Sequence, residues 1–219
     1  MRNKNLKIFS GIISFSLLSS IASAESFDWD EGYFELKGAV GPTWLQAHAT
    51  DVQLSPYEIL HTNFDNLSAF NATLGVAYAL PLLEENDDFS WLPFVKASID
   101  VAHQFEQTFS GDITQVGWTS EWDNQTKIEN TNLMFNLSLG LLQYDDLSVF
   151  ILGGVGAAWT QVTYNAENGS VDTKDVHLGE QNTTTFASQG GAGLGYLIAP
   201  DLNLTGTWLY THIGDIKVS

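Results

Sequence analysis

The 219-residue chain carries 26 Asp and Glu against eight Lys and Arg, a formal charge of −18, which excludes the basic footprint that nucleic-acid binding needs. It has no cysteine, so neither a disulfide framework nor a thiolate metal site is possible. Its 44% hydrophobic and 12% aromatic content argues for an ordered core despite that charge.

The first 24 residues read as a signal peptide. Arg2, Lys4 and Lys7 form a basic start, Ile8 to Ile21 an apolar core diluted by Ser and Gly, and Ala22-Ser23-Ala24 a small-residue cleavage site. Cleavage would leave residues 25–219 with five Lys against the same 26 acidic residues, a formal charge of −21. That length suits one closed barrel or sandwich. No later apolar run is long enough for a transmembrane helix.

Seven stretches then alternate apolar and polar residues with a period of two, the strand signature. In Tyr33 to Ala47, Phe34, Leu36, Val40 and Trp44 oppose Glu35, Lys37 and Thr43. In Leu67 to Leu80, Phe70, Leu74, Val76 and Tyr78 oppose Asn71, Thr73, Gly75 and Ala77. Trp91 to Phe105 sets Val95, Ala97, Ile99 and Val101 against Lys96, Ser98, Asp100 and Gln104. The fourth stretch is the cleanest, with Leu133, Phe135, Leu137 and Leu139 against Asn132, Asn136 and Ser138. Val149 to Tyr164 is apolar on both faces, and Val149, Ile151, Val155 and Trp159 are assigned to the lipid side. Thr183 to Ile198 opposes Phe186, Leu194 and Tyr196 to Gln189, Gly191 and Gly193, and Leu202 to Ile213 opposes Leu204, Trp208 and Tyr210 to Thr205, Thr207 and Thr211.

A soluble barrel with an apolar interior would alternate equally well. Two features favour the membrane. The polar faces hold Gly, Ser, Thr, Asn and Ala in place of the Lys and Glu of a solvated sheet, and aromatics collect near strand ends as interfacial girdles do. The connections alternate long and short, as in barrels with large outer loops and tight periplasmic turns. The outer loops would be Asp51 to Asn66, Thr108 to Thr126 and Asn165 to Asn182; the inner turns lie around Pro81 to Ser90, Tyr144 to Ser148 and Pro200-Asp201.

The chain resembles the eight-stranded outer-membrane β-barrels of Gram-negative bacteria, the OmpA-like and opacity-type surface antigens. The resemblance rests on the leader, on Gly190-Gly191-Ala192-Gly193-Leu194-Gly195-Tyr196, on the turn Ala199-Pro200-Asp201-Leu202-Asn203-Leu204, and on Trp208-Leu209-Tyr210-Thr211-His212-Ile213-Gly214. It implies an all-β, antiparallel, up-and-down transmembrane barrel with roles in envelope structure, surface contact and host interaction. Seven strands are accounted for, and the last stretch looks like the family's penultimate strand. Residues 25–219 are therefore expected to be a barrel domain truncated at its C-terminus, lacking an eighth strand. The edges of the first and seventh stretches are expected to be unpaired or joined only by a distorted closure.

Glu35, Lys37, Lys96 and Asp100 are the charges expected at membrane depth, where they need partners or water. They read as a lumen network that fills the barrel; a narrow pore is the alternative. Acidic, aromatic outer loops, densest at Trp118 and Glu121-Trp122-Asp123, are the contact candidates. His48, His61, His103, His177 and His212 all map to the outer end, but no pair has a metal-ligand spacing, so they are weak metal candidates. No catalytic set is legible and no cofactor is expected: the His–x–Ser arrangement of lipid A deacylases is missing because Gly214 follows His212 by two. A lipid-modifying enzyme is the third reading after surface display and pore. Expected partners are outer-membrane lipids, lipopolysaccharide and a host-surface or matrix molecule, with the barrel a monomer.

If lipid lies on the leucine face, Leu139→Arg lowers stability by about 2–4 kcal/mol near the midplane and Ser138→Arg by clearly less. Urea unfolding of the barrel in lipid vesicles measures both.

Overall fold

The computed structural model describes residues 5–19, 32–48, 52–55, 58–62, 67–82, 89–115, 121–167, 176–199 and 202–217. Their regular structure is β throughout: β1 (Asn5–Ser19), β2 (Tyr33–His48), β3 (Val52–Ser55), β4 (Glu58–Thr62), β5 (Leu67–Pro81), β6 (Phe89–Trp91), β7 (Phe94–Gln115), β8 (Glu121–Tyr144), β9 (Leu147–Glu167), β10 (Val176–Ala199) and β11 (Leu202–Lys217). Eight of them form a closed antiparallel ring in the order β1-β2-β5-β7-β8-β9-β10-β11, with β11 returning to β1. Ring order follows chain order, so the barrel is up-and-down.

The polarity of the wall is the reverse of a water-soluble protein's. Among the described residues eighteen polar or charged side chains are buried, against ten hydrophobic ones. The exposed large hydrophobic residues are spread over β2, β5, β7, β8, β9, β10 and β11, with Val40, Leu74 at 70%, Ile99, Leu137, Val155, Leu194 and Trp208 facing outward. Such a surface is stable only in hydrocarbon, where it faces lipid and the polar residues face one another. On β9 three of the four residues assigned to the lipid side, Ile151, Val155 and Trp159, are exposed and Val149 is half-buried, while Phe150, Ala158 and Val162 are buried.

Three expectations need correction. First, the edges of β2 and β11 are paired. Residues 5–19, read above as part of the leader, lie between them, with Ser14 opposite Thr207 and Ile12 opposite Thr43. The pairing to β11 runs from Asn5↔Lys217 to Ser19↔Leu202 with one register shift, between Leu6 and Ile8. The physical reason is visible in the sequence: Phe9, Ile13, Phe15 and Leu17 alternate with Ser10, Ser14 and Ser16, so the segment has strand period as well as leader composition. An open pair of edges leaves backbone N–H and C=O groups unsatisfied, and the segment covers both. The cleavage site, Ala22-Ser23-Ala24, lies outside the described residues.

Second, the outer connections are largely strand. β7 and β8 stay paired from Thr108↔Lys127 to Thr114↔Glu121, so what reads as a loop is a long hairpin rising above the wall. β3 and β4 form a small hairpin in the first outer connection, and β4 pairs with the extension of β7 from Thr62↔Gly111 to Glu58↔Gln115. β9 and β10 likewise run on to Ala166↔Val176. A register shift between Gln104 and Gln107 leaves Phe105 and Glu106 both exposed, then restores the alternation with Gln107 and Phe109 inside. This is a bulge that re-aims the hairpin.

Third, the first inner connection is not a plain turn, since β6 pairs with the end of β8, Trp91 opposite Leu142. The β8–β9 connection is tight, with Asp145 at φ 48°, a conformation Asp tolerates better than most residues.

Closure by residues 5–19 is directly testable because the chain has no cysteine of its own. In the full-length chain refolded in detergent, the Ser14→Cys, Thr207→Cys pair should join through a short thiol cross-linker, whereas Ser14→Cys with Ser138→Cys should not.

Candidate functional site

The inward charges lie on β2 and β7, which are not neighbours in the ring; β5 runs between them. They meet because the inward face of β5 is small there. Gly75 lies between Lys37 and Asp100 in register, Ala77 between Glu35 and Ser98, and Ala79 beside Lys96. A Cβ on Gly75 would collide with the Asp100 carboxylate, so this glycine makes room for an acid and does not serve a turn.

Two ion pairs cross over this floor. Lys96 Nζ donates to Glu35 Oε1 at 2.8 Å and stands 2.6 Å from Oε2, and it also lies 5.2 Å from the centre of the Phe94 ring. Lys37 Nζ donates to Asp100 Oδ1 at 3.0 Å and Oδ2 at 2.9 Å, and to Ser98 Oγ at 3.1 Å. Ser98 Oγ in turn donates to Asp100 Oδ2 at 3.0 Å. The structure thus brings Glu35, Lys37, Lys96 and Asp100 into one cluster.

From Asp100 a polar chain continues across the lumen. Asn136 Nδ2 donates to Asp100 Oδ2 at 2.6 Å, and Gln189 Nε2 donates to Asn136 Oδ1 at 2.6 Å. Thr211 Oγ1 reaches Gln189 Oε1 at 3.4 Å. These residues tie β2, β7, β8, β10 and β11 together. A Cβ on Gly154 would clash with Asn136 Oδ1, which gives that strand glycine a second space-making role. Asn136, Gln189, Ser98 and Thr211 carry the network without having been singled out from sequence. Alternation placed them on the polar face but could not say that they would meet.

Above the network the lumen closes in layers. Met134, Ala187 and Ile213 are buried, and Ile213 and Ala187 are register partners. Higher still Thr160 Oγ1 donates to Asn130 Oδ1 at 3.1 Å, and Asn130 Nδ2 to Asn132 Oδ1 at 3.1 Å. Ile128, Val162 and Phe109, all at most 1% exposed, cap this end. Below the network a cavity of about 90 Å³ is lined by Lys37, Lys96, Asp100, Gln189, Thr207 and Phe150, among others. It has room for a few water molecules. Filled layers above and a small cavity below make a packed interior, as eight strands permit.

The other sequence candidates lie at the outer end. His103 Nδ1 is 3.0 Å from Thr131 Oγ1, and its Nε2 is 3.4 Å from Glu129 Oε1. His212 is half-buried on β11. His48, His61 and His177 are placed only by backbone register, opposite Lys7, Asp112 and Asn165. Among the described residues no three His, Cys, Asp or Glu side chains converge on a metal position. Glu121, Trp122 and Asp123 pair by backbone with Thr114, Ile113 and Asp112 on the tall hairpin, and Trp118 lies outside the described residues.

Residues 14–219 match the family model of the outer membrane protein beta-barrel domain. Among solved structures the chain is similar to Ail, the attachment invasion locus protein of Yersinia pestis, in complex with the heparin analogue sucrose octasulfate. The identity is 12%, the coverage 96% of this chain and 98% of that one, and the TM-score 0.30. It is also similar to the outer membrane protease OmpT of Escherichia coli (10% identity, 98% and 95% coverage, TM-score 0.36) and to the translocator domain of the autotransporter NalP of Neisseria meningitidis (7%, 96% and 89%, 0.29). No curated protein sequence matches.

Removing one partner of a buried pair strands the other charge. Asp100→Ala should therefore lower the unfolding free energy by about 3 kcal/mol, while the double change Lys37→Met, Asp100→Leu should recover most of the loss. Urea titration in lipid vesicles followed by tryptophan emission distinguishes them.

Proposed function

The chain belongs to the outer membrane protein β-barrel family, and from that premise we propose that it is a non-enzymatic, monomeric barrel that displays acidic hairpins for contact at the cell surface. The observation that carries this reading is the filled lumen. With Lys37, Asp100, Asn136 and Gln189 bonded across the interior and Ile128, Val162 and Phe109 packed above them, the interior serves as a strut, which leaves the outer hairpins as the accessible working surface.

Those hairpins have a definite chemistry. Residues 51–66, 108–126 and 165–182 hold ten Asp and Glu against one cation, Lys174. Such a surface favours a basic partner or one bridged by divalent cations, as on host matrix or on the phosphates of lipopolysaccharide. The Glu121-Trp122-Asp123 cluster at the crest of the β7–β8 hairpin joins aromatic area to that charge and is the leading contact candidate. The pore and the lipid-modifying enzyme remain the competing readings. Conductance in a planar bilayer and a lipid A mass shift on expression are their respective signatures.

Export belongs to the same proposal. Residues 1–24 direct secretion, and cleavage after Ala24 would remove β1 and reopen the slot between β2 and β11. The mature barrel then requires another antiparallel strand in that slot. Intact mass of the membrane-extracted protein should place the N-terminus at Glu25; a mass that retains residues 5–19 would make β1 a permanent wall strand.

Exchange of the three outer hairpins for short turns should abolish adhesion to cells or matrix while leaving barrel assembly and stability within about 1 kcal/mol. Unchanged adhesion by the exchanged barrel would refute the display reading.

A further inference from the structure

Strand register above the wall sets four metal-ligating residue types in one line. His61 of β4 is opposite Asp112 of β7, Asp112 is opposite Asp123 of β8, and Asp123 is opposite Glu167 of β9. No register shift interrupts this part of the sheet, since the one on β7 lies below it, between Gln104 and Gln107. Directly opposed residues share a face, with Cβ atoms about 5 Å apart. Alternation makes it the outward face. Asp123 has the parity of part-exposed Lys127 against buried Thr126 and Ile128, and Asp112 that of exposed Thr108 against buried Phe109. The four residues are positioned by backbone register alone. No sequence spacing marks them, because they come from all three outer connections.

Such a row is destabilising as it stands. Like charges directly opposite each other weaken a strand pair, and Asp112↔Asp123 and Asp123↔Glu167 are two such pairs in succession. Residues 51–66 and 108–126 hold no Lys or Arg, and Lys127, further down β8, is already bonded to Glu106 at 2.9 Å. An acidic row alone would be a solvated face. The imidazole at its end turns it into a mixed ligand set, one nitrogen with two or three carboxylates, which are donors that Zn²⁺ takes. An all-oxygen set would suit Ca²⁺ or Mg²⁺ instead. Bonds of about 2 Å to one ion are within the span of side chains that start ~5 Å apart on adjacent strands.

We propose that His61, Asp112 and Asp123 bind a Zn²⁺ ion on the outward face of the β4–β7–β8 sheet, with Glu167 of β9 as a further carboxylate. The ion cancels the repulsion along the row. It also fastens β4, which joins the tall hairpin only from Glu58↔Gln115 to Thr62↔Gly111. The site therefore orders the outer surface. It rests on the outer connections being paired sheet and not on what they touch, so adhesion can fail with zinc binding intact, and the reverse.

Calorimetric titration of the full-length barrel, refolded in detergent, tests it with zinc chloride and calcium chloride as separate probes. One Zn²⁺ per barrel is expected, bound more tightly than Ca²⁺. His61→Ala and Asp123→Asn should each weaken Zn²⁺ binding by at least the loss that outer-shell changes cause, about tenfold. His48→Ala, on β2 and outside the row, should bind as the parent does. Hydrogen exchange adds a readout that a merely acidic surface would not move. Zn²⁺ should slow exchange in residues 58–62 of the parent. Without metal, Asp123→Asn should slow exchange along the β7–β8 hairpin, because it removes the repulsion, and added Zn²⁺ should then change little. Several weakly bound ions, with Zn²⁺ and Ca²⁺ alike and His61→Ala without effect, would reduce the row to an acidic surface and overturn the site. So would an equal loss in the His48 and His61 variants. Should one row variant fail to refold, the other decides by the same titration.

Discussion

The absence of water from the bilayer core governs this structure. Every backbone N–H and C=O must find a partner within the protein, so a sheet that crosses the membrane has to close on itself. Closure explains the eight-membered ring and the reversed polarity of its wall, and in the uncleaved chain residues 5–19 complete that ring between β2 and β11. That segment can serve because its composition answers two demands. A leader needs an apolar run of moderate length, and a membrane strand needs alternation. Phe9, Ser10, Ile13, Ser14, Phe15 and Ser16 satisfy both.

A closed ring of eight creates a second demand, an interior that must be filled without leaving a charge alone. Here two lysines and two acids are shared between β2 and β7 across the small residues of β5. Asn136 and Gln189 extend the bonding to the opposite wall. Gly75 and Gly154 belong to the same design, since each vacates the volume that a polar side chain on the next strand occupies. Buried layers of Met134 and Ile213, then of Ile128, Val162 and Phe109, lie above the network, and a low local dielectric strengthens hydrogen bonds of this kind.

The cross-bonded interior contrasts with the outer end. There the β7–β8 hairpin, which runs on past the register shift between Gln104 and Gln107 and pairs with β4, carries Asp112, Glu121 and Asp123 in its strands. The wall beneath it changes from apolar to polar within one row on three adjacent strands.

Much of this was legible in the sequence. Period-two alternation and the scarcity of Lys and Glu on the polar faces determined the strands, their facing and the membrane setting, because facing is a local property of the pleat. The same reasoning marked Glu35, Lys37, Lys96 and Asp100 as inward charges. Only the tertiary structure decided how they pair. Glu35 and Lys37, two residues apart on one face, each bond to a partner more than sixty residues away, because β5 is small between them and register sets the distance. Tertiary structure likewise turned the outer loops into hairpins and gave residues 5–19 a place in the ring. Strand pairing is a property of two segments and their register, which no single segment's pattern contains.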